Sequence, residues 1–166
     1  MASEYLFIGI DPGSRETGYF VLSRCCYGCF KAVNGGTIAF DGSLRDRLFE
    51  VYVFFMQLFG SVYDLGYAKV IVCIENPYVG KNIKSSFVLV SIRSVIMILS
   101  KKFSFEYEEL APSKIRKVLC GRGDADKDMV CAFLNATLRG VCFTSLHESD
   151  AAATAFASAT SFPNFC

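Results

Sequence analysis

Net charge is almost absent from this chain of 166 residues: seventeen Lys and Arg stand against sixteen Asp and Glu, a formal balance of +1. Bulk charge therefore points to neither nucleic acid nor an acidic partner. Long hydrophobic runs are missing too. The longest, Phe87 to Leu99, is interrupted by Arg93 and falls short of a membrane span. The first residues, Met1 to Tyr5, carry no basic region, and the apolar stretch that follows is too short for a secretory core. A soluble, cytoplasmic protein is expected. There are eight cysteines, but only Cys26-x-x-Cys29 has metal-like spacing, and no second Cys/His pair accompanies it. That argues against a zinc site and for free thiols in a reducing compartment. Histidine occurs once, at position 147.

What is plentiful is apolar and aromatic: sixteen Phe and eight Tyr. A chain of this size and composition is expected to form one domain, residues 1–166, with a real core. Positive charge, balanced overall, is concentrated locally. Residues 81–102 hold Lys81, Lys84, Arg93, Lys101 and Lys102 without an acid. Residues 114–122 hold Lys114, Arg116, Lys117 and Arg122, again without one. Such stretches suit a phosphate-binding face, or simply a solvated one.

The sequence pattern reads as α/β. Tyr5 to Ile10 is a short apolar strand that ends on Asp11 and breaks at Pro12-Gly13. Gly18 to Leu22 and Phe30 to Phe40 predict two more strands joined by short turns, an antiparallel meander, with Gly35-Gly36 expected to bend or bulge the third. Ser43 caps a helix with apolar residues at 44, 48, 51, 55, 58 and 62. Lys69 to Ile74 reads as a buried strand parallel to the first, and it too ends on a carboxylate, Glu75. A helix from Asn82 to about Ser100 is apolar nearly all round and must be covered on several sides, by the sheet and by a further surface for which a second copy of the chain is one candidate. Phe103 to Tyr107 alternates as a fifth strand. Short helices follow over Pro112–Leu119 and from Asp124 or Ala125 to about Leu138. Ser145 then caps a last helix reaching about Ala159, with His147 and Asp150 one turn apart on one side and small residues behind them. The expected architecture is a five-stranded mixed sheet, meander plus parallel strands, flanked by helices.

Two strand ends and one helix thus supply Asp11, Glu75, His147 and Asp150. Taken singly, an Asp before Pro-Gly ordinarily serves its turn, and a lone His is ordinarily a hydrogen-bonded surface residue. Together, converging carboxylates repel one another unless cations lie between them. Mg²⁺ suits three carboxylates, and the imidazole makes Mn²⁺ acceptable as well. Two such ions per site, beside basic stretches, point to phosphodiester hydrolysis on nucleic acid.

Four segments carry a resemblance: IGIDPGSRETGY, IENPYVGKN, GRGDADKDMV and HESDAAATAFA. In this order and at these separations, across nearly the whole chain, they resemble the landmarks of RuvC-type Holliday junction resolvases. The resemblance implies an RNase H-like fold, a homodimer with two active sites, four-way junction DNA as substrate and paired nicks across it. It leaves a branch-migration complex as a candidate partner. Asp11 and Glu75 match the family's first two acidic ligands, and His147 and Asp150 match the last pair, which in many members is Asp-x-x-Asp. Lys127 matches the catalytic-site lysine, Arg116 a basic position where Lys is common, and Tyr78 an aromatic that stacks on unpaired bases. Lys81, Lys84, Lys117 and Arg122 complete the expected DNA-binding set, from the basic stretches. Glu148, beside His147, is an alternative ligand, but a helix turns it about 100° away. The chain ends soon after the last helix without the basic tail many relatives carry, and Asp124, Asp126 and Asp128 make the Lys127 region less positive than usual. Other readings are a related nuclease acting on RNA, a catalytically idle junction binder, and an ATPase of the actin and sugar-kinase type. The last needs a second such domain, for which 166 residues leave no room.

Overall fold

The computed structural model describes residues 5–25, 28–76, 83–138 and 140–163, with the side chains of 83–85 excluded. Ten elements follow one another: β1 (Tyr5–Pro12), β2 (Glu16–Arg24), β3 (Phe30–Ala39), α1 (Leu44–Asp64), β4 (Lys69–Glu75), α2 (Ile83–Lys102), β5 (Glu106–Leu110), α3 (Pro112–Cys120), α4 (Lys127–Thr137) and α5 (Leu146–Ser161). The strands form one sheet in the order β3-β2-β1-β4-β5. β1, β2 and β3 pair antiparallel, while β4 runs parallel to β1 and β5 parallel to β4. This is the mixed α/β sheet expected from the sequence. Among the described residues, no helix is long and apolar enough to cross a membrane.

The period of two along each strand divides the core. Leu6, Ile8 and Ile10 of β1, with Val70, Val72 and Ile74 of β4, face α1 and α2. Phe7 of β1, with Ile71 and Cys73 of β4, faces α3, α4 and α5. That alternation decides the site, because it carries Asp11 and Glu75 to the face occupied by α5.

Helix α5 lies unusually close to the sheet. A Cβ on Gly9 would meet the Ala151 carbonyl oxygen at 2.0 Å, and one on Gly18 would meet the His147 carbonyl oxygen at 2.0 Å. Glycines below and a buried row of alanines above are what permit the approach, and Ala151, Ala152, Ala153 and Ala155 are all buried. At the far end of α5, the buried Arg24 donates to the Ala159 and Phe162 carbonyls at 2.5 and 2.8 Å. It closes the helix C-terminus, where orphan carbonyls favour a cation.

Three expectations are corrected. The fifth strand begins at Glu106, not Phe103. Residues 103–105 instead wind off α2: Phe103 and Phe105 N–H donate back to Leu99 and Ser100, and Ser104 adopts a left-handed φ of 59°. The two Phe rings, which mimic strand alternation, both pack against Phe59 of α1. The irregularity in β3 falls at Val33, skipped between Asn34 opposite Val21 and Ala32 opposite Leu22, while Gly35 and Gly36 stay paired. Gly35 is needed for clearance, since a Cβ there would come within 2.6 Å of the Phe20 ring and 2.9 Å of Glu148 Oε1. Helix α4 starts at Lys127, two to three residues later than the pattern suggested, because the Asp126 side chain caps it by accepting from the Met129 N–H.

Helix α2 buries Ile92, Ile96 and Leu99 against the sheet. Phe87 and Ile98, each 66% exposed, and the less exposed Val90 and Met97 point away from the core.

Candidate active site

Asp11 and Glu75 are neighbours by register. Ile10 of β1 pairs with Ile74 of β4, so the next residue along each strand brings one carboxylate beside the other at the C-terminal end of the parallel pair. An α/β sheet places its ligands at such an end. Over this edge lies the first turn of α5. Ser145 caps it, accepting from the Glu148 N–H at 3.0 Å. The close approach at Gly18 brings His147 down to the sheet, and its Nδ1 lies 2.6 Å from Asp11 Oδ2. One turn on, Asp150 Oδ2 accepts from Lys127 Nζ at 2.6 Å. Lys127 is the first residue of α4, so the Asp126 cap sets where its ammonium enters. Arg116 of α3, Lys127, Glu75 and Asp150 line one small notch floored by Ile115, Val130 and Ala153. Five of the sequence-predicted site residues, and Arg116 beside them, therefore meet in one place.

The electrostatics are those of a site short of positive charge. Burial raises the Asp11 carboxyl above its ordinary range, and the Asp150 charge adds to this; the His147 hydrogen bond and the charges of His147 and Lys127 oppose it. Glu75 is pushed up to about 7, first by burial and then by the charges of Asp11 and Asp150, with Arg116 and Lys127 acting against the rise. The Lys127 ammonium is held more firmly protonated, chiefly by its hydrogen bond to Asp150. Among the described residues no three His, Cys, Asp or Glu groups are already gathered as a closed metal cage. Asp11 is turned onto His147 and Asp150 onto Lys127. The donor set nonetheless fits a hard divalent cation: three carboxylates and one imidazole, with like charges raising Glu75 for want of a counterion.

The other predicted contacts lie at varying distances from this centre. Tyr78 and Lys81 fall outside the described residues, as does the Lys84 side chain. Lys117 is exposed on α3. Arg122 is exposed and held in a two-bonded pair with Asp124 at 2.8 and 2.7 Å. Glu148 does not join the cluster: its Oε2 accepts from the Thr144 N–H and hydroxyl at 2.7 and 2.6 Å, on the side turned toward β2 and β3. The sequence did not mark Arg47, which reaches from α1 to donate to the Ser14 carbonyl at 2.5 Å in the turn after Asp11. Nor did it mark Gly9 and Gly18. Their signal was present, two glycines in strands that must lie under a helix rich in alanine.

Residues 7–159 match the family model described as crossover junction endodeoxyribonuclease RuvC. Similar curated proteins of that name include one from Bdellovibrio bacteriovorus, 33% identical over 152 residues, covering 90% of this chain and 87% of the relative. Another, from Wolbachia pipientis wMel, is 31% identical over 150 residues, covering 89% and 90%. Among solved structures, RuvC of Thermus thermophilus superposes with a TM-score of 0.78 at 15% identity over 93% of each chain. The same protein in complex with a Holliday junction substrate gives 0.77 at 17%, again over 93% of each chain. At these identities the superpositions speak to the fold.

Proposed function

The chain belongs to the RuvC family of crossover junction endodeoxyribonucleases, and from that premise we propose that it resolves four-way DNA junctions by hydrolysing a phosphodiester at the cluster of Asp11, Glu75, His147 and Asp150. The observation that carries this reading is the register of β1 and β4, which sets two carboxylates side by side under the first turn of α5. Burying like charges together is unfavourable unless a cation is to be bound.

In this mechanism Asp11, Glu75 and Asp150, with the His147 imidazole, would hold Mg²⁺ or Mn²⁺, and the chemistry supplied by two such ions would be activation of a water and charge for the leaving oxygen. The protein's own groups do the rest. Lys127 keeps its proton and presents an ammonium at the mouth of the notch, where the scissile phosphate gathers charge in the transition state. Arg116 and the exposed Lys117 of α3 contact the flanking backbone, which positions the strand without reading its sequence. Tyr78 is assigned to stack on bases unpaired at the junction centre, a contact indifferent to sequence, and Lys81 and Lys84 are assigned to the DNA backbone by their charge. The outward Phe87, Val90, Met97 and Ile98 of α2 seat a second copy, giving two sites and paired nicks. Resolving junctions in this way separates recombining duplexes, the step that recombination and repair require.

The test is cleavage of a labelled synthetic four-way junction beside a linear duplex of the same arms and a structured RNA, each with Mg²⁺ or Mn²⁺. Symmetric nicks in the junction alone are expected. Cutting of the RNA with the junction untouched would replace this reading with the RNA-directed one. Tight junction binding without cutting under either ion would mean an idle binder.

A further inference from the structure

Glu148 is the most deeply buried acid among the described residues, 5% exposed, and the hydrolytic reading gives it no task. Its position next to His147 invites assignment as a ligand, yet one residue along a helix is a rotation of about 100°. The carboxylate points instead at the segment that leads into α5. There Oε2 accepts from both the N–H and the hydroxyl of Thr144, and the Glu148 N–H donates to Ser145 Oγ. The Ser145 hydroxyl in turn bonds Thr37 Oγ1 on β3. On its other side, Oε1 sits over Gly35 of β3, where a Cβ would come within 2.9 Å of it. The first turn of α5 is thus tied down at Thr144, at Ser145 and, through the close packing of the His147 carbonyl on Gly18, at β2.

We propose that Glu148 is a positioning residue for the reaction: its buried carboxylate buckles the first turn of α5 onto β2 and β3, and so sets the His147 ring against Asp11. The inference rests on the functional reading above, in which His147 and Asp11 act together. A helix N-terminus is ordinarily free to fray, and a side chain in the first turn follows the backbone that carries it. The Asp11 and His147 atoms lie 2.6 Å apart, a separation with little slack. A donor set held this closely is lost by a displacement of about 1 Å. A charged acceptor taking two hydrogen bonds away from water is among the stronger ways to prevent one.

His147 is the only histidine in the chain, so isotope labelling of histidine gives a single ring signal that reports on this contact without metal or DNA. The experiment compares that signal in the metal-free wild type, Asp11→Asn, Glu148→Ala, Glu148→Gln and Thr144→Val at one pH, and measures Mn²⁺ affinity for each by calorimetry. Asp11→Asn is expected to move the ring signal by removing its partner. Glu148→Ala is expected to move it too and to weaken Mn²⁺ binding by about 10–100-fold, the usual effect of removing a group that orients a ligand. Glu148→Gln, whose side-chain oxygen still accepts from Thr144, should restore most of both. A folded Glu148→Ala protein with the wild-type ring signal and Mn²⁺ affinity would overturn the proposal, as would an Asp11→Asn protein whose ring signal does not change. Should Glu148→Ala fail to fold, Thr144→Val carries the same test by deleting one of the two donors, and a wild-type ring signal there refutes it. Failure of the functional reading looks different: the wild type leaves junctions uncut while the ring signal still answers to Glu148.

Discussion

Removing the Glu75 charge should make the metal-free protein more stable at alkaline pH. Glu75 stands beside Asp11 by strand register and shares its notch with Asp150, and its carboxyl is raised from 4.5 to about 7 by burial and by those two charges. Below pH 4.5 the group is protonated in both folded and unfolded chains, and the shift contributes nothing to stability. Between 4.5 and 7 the unfolded chain ionises while the folded one resists, so stability falls as pH rises, and above 7 the loss is complete. A rise of this size corresponds to about 3 kcal/mol. Water reaching the half-buried carboxyl reduces that to about 2 kcal/mol. Glu75→Gln keeps the shape and removes the charge, so at pH 8 with a chelator its melting midpoint should exceed that of the wild type by about 4–8 °C. At pH 4 the two should melt together. Added Mg²⁺ should raise the wild type and narrow the gap, because the ion stabilises the carboxylate form that the substitution deletes. A Glu75→Gln protein no more stable than wild type at pH 8, or more stable by the same margin at pH 4, would refute the reasoning.

Three further outcomes follow from particular contacts. Gly9→Ala places a methyl 2.0 Å from the Ala151 carbonyl oxygen and 2.6 Å from the Ala155 nitrogen; backbone on both sides must yield, so stability should drop by about 3 kcal/mol or more in a denaturant titration. Single-turnover cutting should fall about 100-fold with it, because Asp150 rides on the lifted turn. Arg24→Met removes both donors to the α5 C-terminus and should destabilise the fold by about 2–4 kcal/mol in the same titration, while the cutting rate at low temperature stays near wild type because the site is at the other end of the helix. Lys127→Met should slow cutting about 100–1,000-fold in a single-turnover assay and change junction affinity only a few-fold, since the ammonium is held at Asp150 and in the proposed mechanism meets the reacting phosphate.

Much of the site was legible in the chain because it is written in short-range chemistry. A strand that ends on an acid and then breaks can be read twice, at Asp11-Pro12 and Glu75-Asn76, and strand parity does the rest. Ser145 followed by small residues announces both the start of α5 and its close approach to a sheet. Spacing alone placed His147 and Asp150 on one side and Glu148 on another, as the structure bears out. What was hidden is long-range or conformational. Phe103 and Phe105 alternate like a strand, yet Ser104 turns left-handed and spends both rings on Phe59. Arg24 reaches Ala159 and Arg47 reaches Ser14 across distant parts of the chain, and no local pattern marks either. The irregularity in β3 falls at Val33, while Gly35 stays paired opposite Phe20 and gives clearance to the Phe20 ring and Glu148.

The claim at the centre of this account is that the acids at the ends of β1 and β4, with α5, cut the junction and do not merely hold it. The direct measurement is junction binding and junction cleavage by Asp11→Asn on the same samples, with Mg²⁺ present. Removing one carboxylate from the cluster should leave a protein that shifts a four-way junction at close to wild-type concentration and produces no nicks. Nicks at the wild-type rate would place the chemistry elsewhere in the chain and contradict the account.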